Sequence, residues 1–375
     1  MSNFAQLHGV QGQQNVVALK RAYRWTEQGV QQLPAPPEMV AEPVEENGLL
    51  KLDTDYFPKR HFTDVIVHGS AWAPAGRPVA SLDVAVAING VARTIRAFGK
   101  RTLQRRGTQW SFSEPEPFES IPLHWSEAYG GWDKRGEEAR DPYEVEKISK
   151  SMGRDMSIVS LARYRRNPHG KGFFQKLTPE HEGAELPRLE WAHDLLTPAR
   201  VEVNHPYHWY SQPMPANFGF LAYEMFPRSA FWGERMFPIH QDRAAKQVLP
   251  EYAFGLKPED LLPKVEALAL SQNPRMFNGA HPALQVPSLR GKVQVDLYHL
   301  DPVAQRLSFN VPTGAPQVQI VVPNDSKTYK TEGFLSTLVV DVAKREFCAT
   351  WHAMVTTKYP TFPDYTDKIK VDVQW

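Results

Sequence analysis

The 375-residue sequence contains a single cysteine, Cys348. An intramolecular disulfide and any zinc or iron–sulfur site built from cysteines are thereby excluded, and the count fits a reducing compartment. Long apolar runs are missing too. The longest, Val84 to Ile88, has five residues, where a membrane-spanning helix takes ~20. The N-terminus, Met1-Ser-Asn-Phe-Ala-Gln, shows no basic stretch followed by an apolar one, so no secretory signal is read there and the cytoplasm is expected. Charge of one sign is equally absent, 43 Lys and Arg standing against 42 Asp and Glu. That balance removes the global basic field of a dedicated nucleic-acid binder, and neither a nucleic-acid nor a membrane partner is expected. No segment recurs at a period of ~20–50 residues, which excludes a solenoid or propeller. Glycine-rich phosphate loops, the dinucleotide-binding glycine pattern and the nucleophile elbow are lacking, so no cofactor is expected.

Proline is plentiful, with 32 in the chain against a usual ~5%. Each one forbids a helix interior or a central strand hydrogen bond, so helices should be few. In Leu82 to Phe98, Leu82, Val84, Val86 and Ile88 alternate, and Asn89-Gly90 supplies the two positive-φ residues of a type I′ hairpin turn. Asp64 to Ala71 reads as a strand before it. Lys292–Tyr298, Leu307–Val311, Val318–Val322, Phe334–Asp341 and Arg345–Met354 read as strands after it. Pro258 to Leu270 has the proline and acidic residues of a helix start. The expected fold is mainly β, with antiparallel sandwich or barrel-like regions and long proline-rich loops. Residues 1–60 are read as an N-terminal arm or linker, extended and exposed over Gln31 to Gly48. Residues 61–290 form a β-rich core with a short helix at 258–270, and 291–375 a C-terminal β-rich region.

Several residue groups invite a chemical reading. Cys348 and His352 suggest a thiol–imidazole pair, but four residues along a strand place them ~13 Å apart, and a packed strand cysteine is the better reading. His193, His205 and His208 lack the general base and further ligands of a zinc signature, so no metal is expected. Glu127 and Asp133 flank Tyr129-Gly-Gly-Trp132 and suggest the paired acids of a glycosidase, the alternative being a tight turn at the glycines. Arg163 to Lys176 mixes cations with aromatics; it reads as a solvated basic loop, with Arg165, Arg166 and Lys171 as candidate contacts to an acidic protein partner. Ten aromatics fall between Tyr207 and Phe237. Trp209, Tyr210, Phe218, Phe231 and Trp232, with Arg228 and Arg235, have the composition of an interface hot spot. The same rings equally suit a core between two sheets.

Read together, the segments resemble one bacterial family. Thr63-Asp-Val-Ile-Val-His-Gly-Ser-Ala-Trp-Ala-Pro-Ala-Gly-Arg-Pro78, Ile95-Arg-Ala-Phe-Gly99 and Ser113 to Gly131 follow its order and wording. So do Asn167-Pro-His-Gly-Lys-Gly-Phe173, Leu186-Pro-Arg-Leu-Glu190, Pro215-Ala-Asn-Phe-Gly219, Phe277-Asn-Gly-Ala-His-Pro282 and Leu289-Arg-Gly291. The resemblance, over about residues 60–355, is to a domain of unknown function, number 2169, whose members are associated with type VI secretion. It implies a non-catalytic adaptor or chaperone that loads an effector, often one with a PAAR-like domain, onto a VgrG-type spike. The rival reading is a carbohydrate-active β-sandwich enzyme.

Overall fold

Asn89 and Gly90 adopt φ of +49° and +83°, and Ser81–Ile88 returns as Val91–Phe98 in unbroken antiparallel register, as the type I′ turn requires. The computed structural model describes residues 2–9, 12–46, 49–56, 60, 62–134, 163–164, 166–202, 212–223, 225, 228, 278–287, 289–312, 314–322, 327–357 and 369–375. In it, this hairpin sits inside a five-stranded antiparallel sheet ordered Leu189–Trp191, Val91–Phe98, Ser81–Ile88, Val293–Tyr298, Arg306–Val311. The helix expected at 258–270 lies outside the described residues.

A seven-stranded sheet runs in the order Ser2–Gly9, Gly12–Thr26, Glu346–Thr357, Phe334–Asp341, Phe62–His68, Gln285–Pro287, with Gly29–Gln32 also paired to Gly12–Thr26. Its ladders are antiparallel except that Phe334–Asp341 runs parallel to Phe62–His68. The protein is mainly β, its sheets mostly antiparallel, and among the described residues no barrel closes. Strand pairing crosses both boundaries expected at residues 60 and 290. The C-terminal strands lie between Gly12–Thr26 and Phe62–His68 in one sheet, while Val293–Tyr298 joins the hairpin in the other.

One face of the large sheet is apolar. Register aligns Tyr23, Phe347, Val340 and Val67 in a row across four strands. Trp25 stacks on Phe309 of the five-stranded sheet at 4.5 Å between ring centroids, Phe309 on Phe347 at 5.0 Å and Phe347 on Tyr23 at 5.0 Å. This aromatic column ties the two sheets together, adding offset-stacking geometry to area burial.

The other face is polar, and register places Lys20, Thr350, Thr337 and Asp64 in its corresponding row. Asp53, Asp55 and Arg60 cover that row. Asp55 accepts from Lys20 Nζ at 2.8 Å and Thr350 Oγ1 at 3.1 Å, and its carbonyl accepts from His352 Nε2 at 2.6 Å. Arg60 bridges Asp53 at 2.6 Å and Asp64 at 3.5 Å, and all three are buried. Residues 1–60 are therefore more than an arm: Gly12–Thr26 is a strand of the large sheet, and Asp53, Asp55 and Arg60 roof a polar face. Lys20, Arg21 and Arg24 interrupt the apolar pattern that would have marked the strand, because Lys20 and Arg24 face away from the sandwich core.

Candidate binding cavity

Further along the polar face come two more rows, Ala22, Cys348 and Val339, then Glu346, Asp341 and His68. They line a cavity of ≈630 Å³ that is also walled by the antiparallel pair Val44–Glu46 and Leu49–Leu52, by Leu123 to Trp125, and by Asn217 and Gly219. The size falls within the ~300–1,000 Å³ of ligand sites. Its charged side chains are already matched: Lys51 pairs with Glu46 at 2.9 Å, Lys344 with Asp341 at 2.9 Å, and Arg24 with Glu346.

Two buried polar atoms on this cavity have no partner. Asn217 Oδ1 accepts the Gly219 N–H at 2.6 Å, which identifies the other end of the amide as Nδ2, and that donor is buried without an acceptor. His68 Nε2 is likewise buried and unmatched. Burial lowers the His68 pKa, and Lys51 and Lys344 reinforce the effect against an opposing pull from Asp341, so the imidazole is neutral at pH 7. Burial pushes the Cys348 thiol up. Cys348 belongs to a row of wall residues, while His352 is bonded to Asp55, so the two form no nucleophilic pair.

The motif blocks meet one another in the interior. Asp64, in the first block, accepts from Asn278 Nδ2 at 2.8 Å, Gly279 N at 2.8 Å and Ala280 N at 3.2 Å. Burial raises its pKa, with Arg60 and these donors opposing. Tyr129-Gly130 runs parallel to Lys171-Gly172, and a Cβ on Gly130 would lie 2.1 Å from Asn167 O. The two glycines thus serve close backbone packing beside a parallel strand pair and not the tight turn expected of them. Glu190 accepts from Leu196 N at 2.7 Å and from the buried Arg101 guanidinium.

The expected interface residues are placed as follows. Phe218 is fully buried beside Trp191, ring centroids 6.0 Å apart. Arg228 is buried, donating to Asp53 Oδ2 at 3.0 Å and Leu221 O at 2.7 Å. Burial pushes the Asp53 pKa up, but Arg228, Arg60 and the Tyr223 hydroxyl outweigh it and hold the carboxyl below its ordinary value. Arg166 is buried and donates to Gln212 O at 3.4 Å. As surface contacts these three are corrected: each is held inside by partners from distant segments. The basic loop is correspondingly not a solvated one where it is described, since Asn167, Phe173, Phe174 and Gln175 are buried. Lys171 remains partly exposed, between Glu127 at 3.3 Å and Glu185 at 3.1 Å. Arg165, Trp209, Tyr210, Phe231, Trp232 and Arg235 lie outside the described residues, as do His205 and His208.

The suggested acid pair has other duties. Asp133 is buried and accepts from Gln175 N at 2.9 Å and from His181 Nε2 at 2.9 Å. The His181 Nδ1 lone pair takes the Thr178 N–H at 3.0 Å, which puts the ring proton on Nε2. Glu127 lies within ion-pair distance of Lys171 and Arg188. Among the described residues no three His, Cys, Asp or Glu side chains gather to hold a metal ion, and no helix is long and apolar enough to cross a membrane. Motif reading missed Asn217 and His68 as cavity groups although both stand inside quoted blocks, because only a long-range contact, Val67 N–H donating to Phe218 O at 2.9 Å, brings the two blocks together.

A family model described as "Uncharacterized protein conserved in bacteria (DUF2169)" matches residues 11–352. The match takes in the N-terminal core strand, which the quoted blocks do not reach. No curated protein and no solved structure matches the chain.

Proposed function

The chain belongs to DUF2169, a family of uncharacterized proteins conserved in bacteria, and from that premise we propose that it is a non-catalytic adaptor. In this reading it holds a type VI secretion effector, one carrying a PAAR-like domain, in the cytoplasm of a Gram-negative bacterium and hands it to the VgrG-type spike. The ordered blocks quoted above support it through their resemblance to such adaptors. One observation favours it over an enzyme. The two fully buried carboxylates that the blocks carry into the interior, Asp64 and Glu190, accept from the chain's own groups, which supports a scaffold role for them over that of free catalytic acids. The glycosidase alternative loses its acid pair to the same bookkeeping.

Deleting the gene should leave the secretion machine assembled and firing while stopping delivery of one linked effector, and the purified protein should retain that effector in a pull-down. Loss of all secretion, or delivery unaffected by the deletion, refutes the adaptor role.

A further inference from the structure

The charged groups around the ≈630 Å³ cavity are satisfied in pairs within the chain, Glu346 by Arg24 from beyond the lining, so the site offers no uncommitted charge to an ionic ligand. Its walls are largely apolar, with Leu49, Leu50, Leu52, Leu123, Trp125 and Val339. Against them stand the two unmatched groups. Asn217 is 1% exposed, and its Nδ2 is fixed as a donor because Oδ1 is committed to Gly219. His68 Nε2 can donate or accept according to tautomer. Both atoms are themselves buried, so an acceptor reaches them only as the cavity wall yields; a buried donor left unmet costs ~1–3 kcal/mol, which that acceptor recovers.

We propose that this cavity is the seat for an uncharged apolar peptide segment of the protein partner, whose side chains fill the apolar walls while a main-chain carbonyl accepts from Asn217 Nδ2 and the adjoining peptide group meets His68 Nε2. The inference rests on the adaptor reading for the identity of the partner, and on the cavity alone for its chemistry. An amide supplies both one acceptor and one donor without charge, which is the complement of what the two groups lack. A carboxylate or phosphate would find Lys51 and Lys344 already engaged by Glu46 and Asp341, with Glu346 a third acid on the wall.

Cys348 lines the cavity and is the chain's lone cysteine, so occupancy can be read on it directly. The full chain is alkylated with N-ethylmaleimide under native conditions, with and without the blocked dipeptide acetyl-Leu-Leu-amide, and the rate is followed by mass spectrometry. The neutral dipeptide should slow the reaction several-fold and acetyl-Glu-Glu-amide should not. Val339→Trp and Leu52→Trp fill the cavity from two sides, and whichever retains the wild-type melting temperature should lose the protection. Asn217→Asp keeps the acceptor for Gly219 N–H and removes the donor, and should weaken protection about tenfold, the worth of one hydrogen bond. An unchanged wild-type rate, equal protection by the acidic dipeptide, or protection that survives a folded cavity-filling variant overturns the proposal. The effector pull-down separates the two readings. A Leu52→Trp protein that loses dipeptide protection but keeps the effector refutes the cavity as the partner's seat and leaves the adaptor intact. If the wild type fails to hold the effector, the adaptor falls and the dipeptide measurement still judges the cavity.

Discussion

Replacing Gly130 by alanine should be among the most damaging single-methyl additions in this protein. Gly130 has φ of +148°, and the added Cβ would stand 2.1 Å from the Asn167 carbonyl oxygen and 3.1 Å from its carbon. Real Cβ contacts do not fall below 3.0 Å, so the Asn167 backbone has to retreat. It cannot do so freely. Asn167 O accepts from Gly131 N at 2.9 Å, and its side-chain amide donates to Trp125 O at 2.8 Å and Tyr129 O at 3.1 Å. Losing those three bonds at about 1 kcal/mol each, with about 1 kcal/mol for forcing a side chain into positive φ, gives a loss of about 4 kcal/mol. Native domains hold only ~5–15 kcal/mol. Gly90→Ala is the control. Gly90 also has positive φ, +83°, but a Cβ there meets nothing within 4 Å, so only the backbone cost of about 1 kcal/mol applies. Urea unfolding followed by tryptophan fluorescence should give a much lower midpoint for Gly130→Ala than for Gly90→Ala. Equal midpoints would refute the close-packing account of the Tyr129-Gly-Gly block.

Two further outcomes are expected. Burial, aided by His193, Arg166 and Arg93, holds the His281 pKa down to about 3, and burial with Arg60 nearby holds that of His352 down to about 4. The unfolded imidazole, near 6.5, takes up a proton that the folded one refuses. Stability is therefore complete above pH ~6.5 and falls as pH drops toward 4, by about 3 kcal/mol for His352. His352→Gln, which keeps a donor for Asp55 O, should flatten that acid limb of a stability-against-pH curve; parallel curves for variant and wild type would contradict it. Asp64→Ala strands the Gly279 and Ala280 N–H groups and removes a counter-charge from Arg60, at a cost of ~3–5 kcal/mol. A urea midpoint within error of wild type would show that the cradle does not hold the Phe62–His68 strand.

The site was legible in pieces only. His68, Asn217 and Cys348 were all visible as residues of quoted segments, but none carried a signal for the cavity, because its two unmatched atoms are defined by what fails to reach them. Arg166 and Arg228 show the opposite effect. An arginine among aromatics has the composition of an exposed hot spot, and Arg228 is buried because Asp53 waits for it inside. That carboxylate stands at a sequence distance no local pattern spans.

What the sequence by itself determined is what neighbours along the chain decide. The two-residue turn at Asn89-Gly90, the alternation of Leu82 to Ile88 and the scarcity of helix under 32 prolines follow from backbone sterics and i, i+2 periodicity, and these made the fold mainly β. Tertiary structure alone decided which strands not joined by a tight turn lie side by side. It put Gly12–Thr26 against Glu346–Thr357 and ran Phe334–Asp341 parallel to Phe62–His68, since a pair joined by no tight turn has its direction set by burial and not by the link. It also decided that one sheet face would be polar and roofed by Asp53, Asp55 and Arg60, because a buried carboxylate or guanidinium is tolerable only where an opposite charge from elsewhere in the chain arrives to meet it.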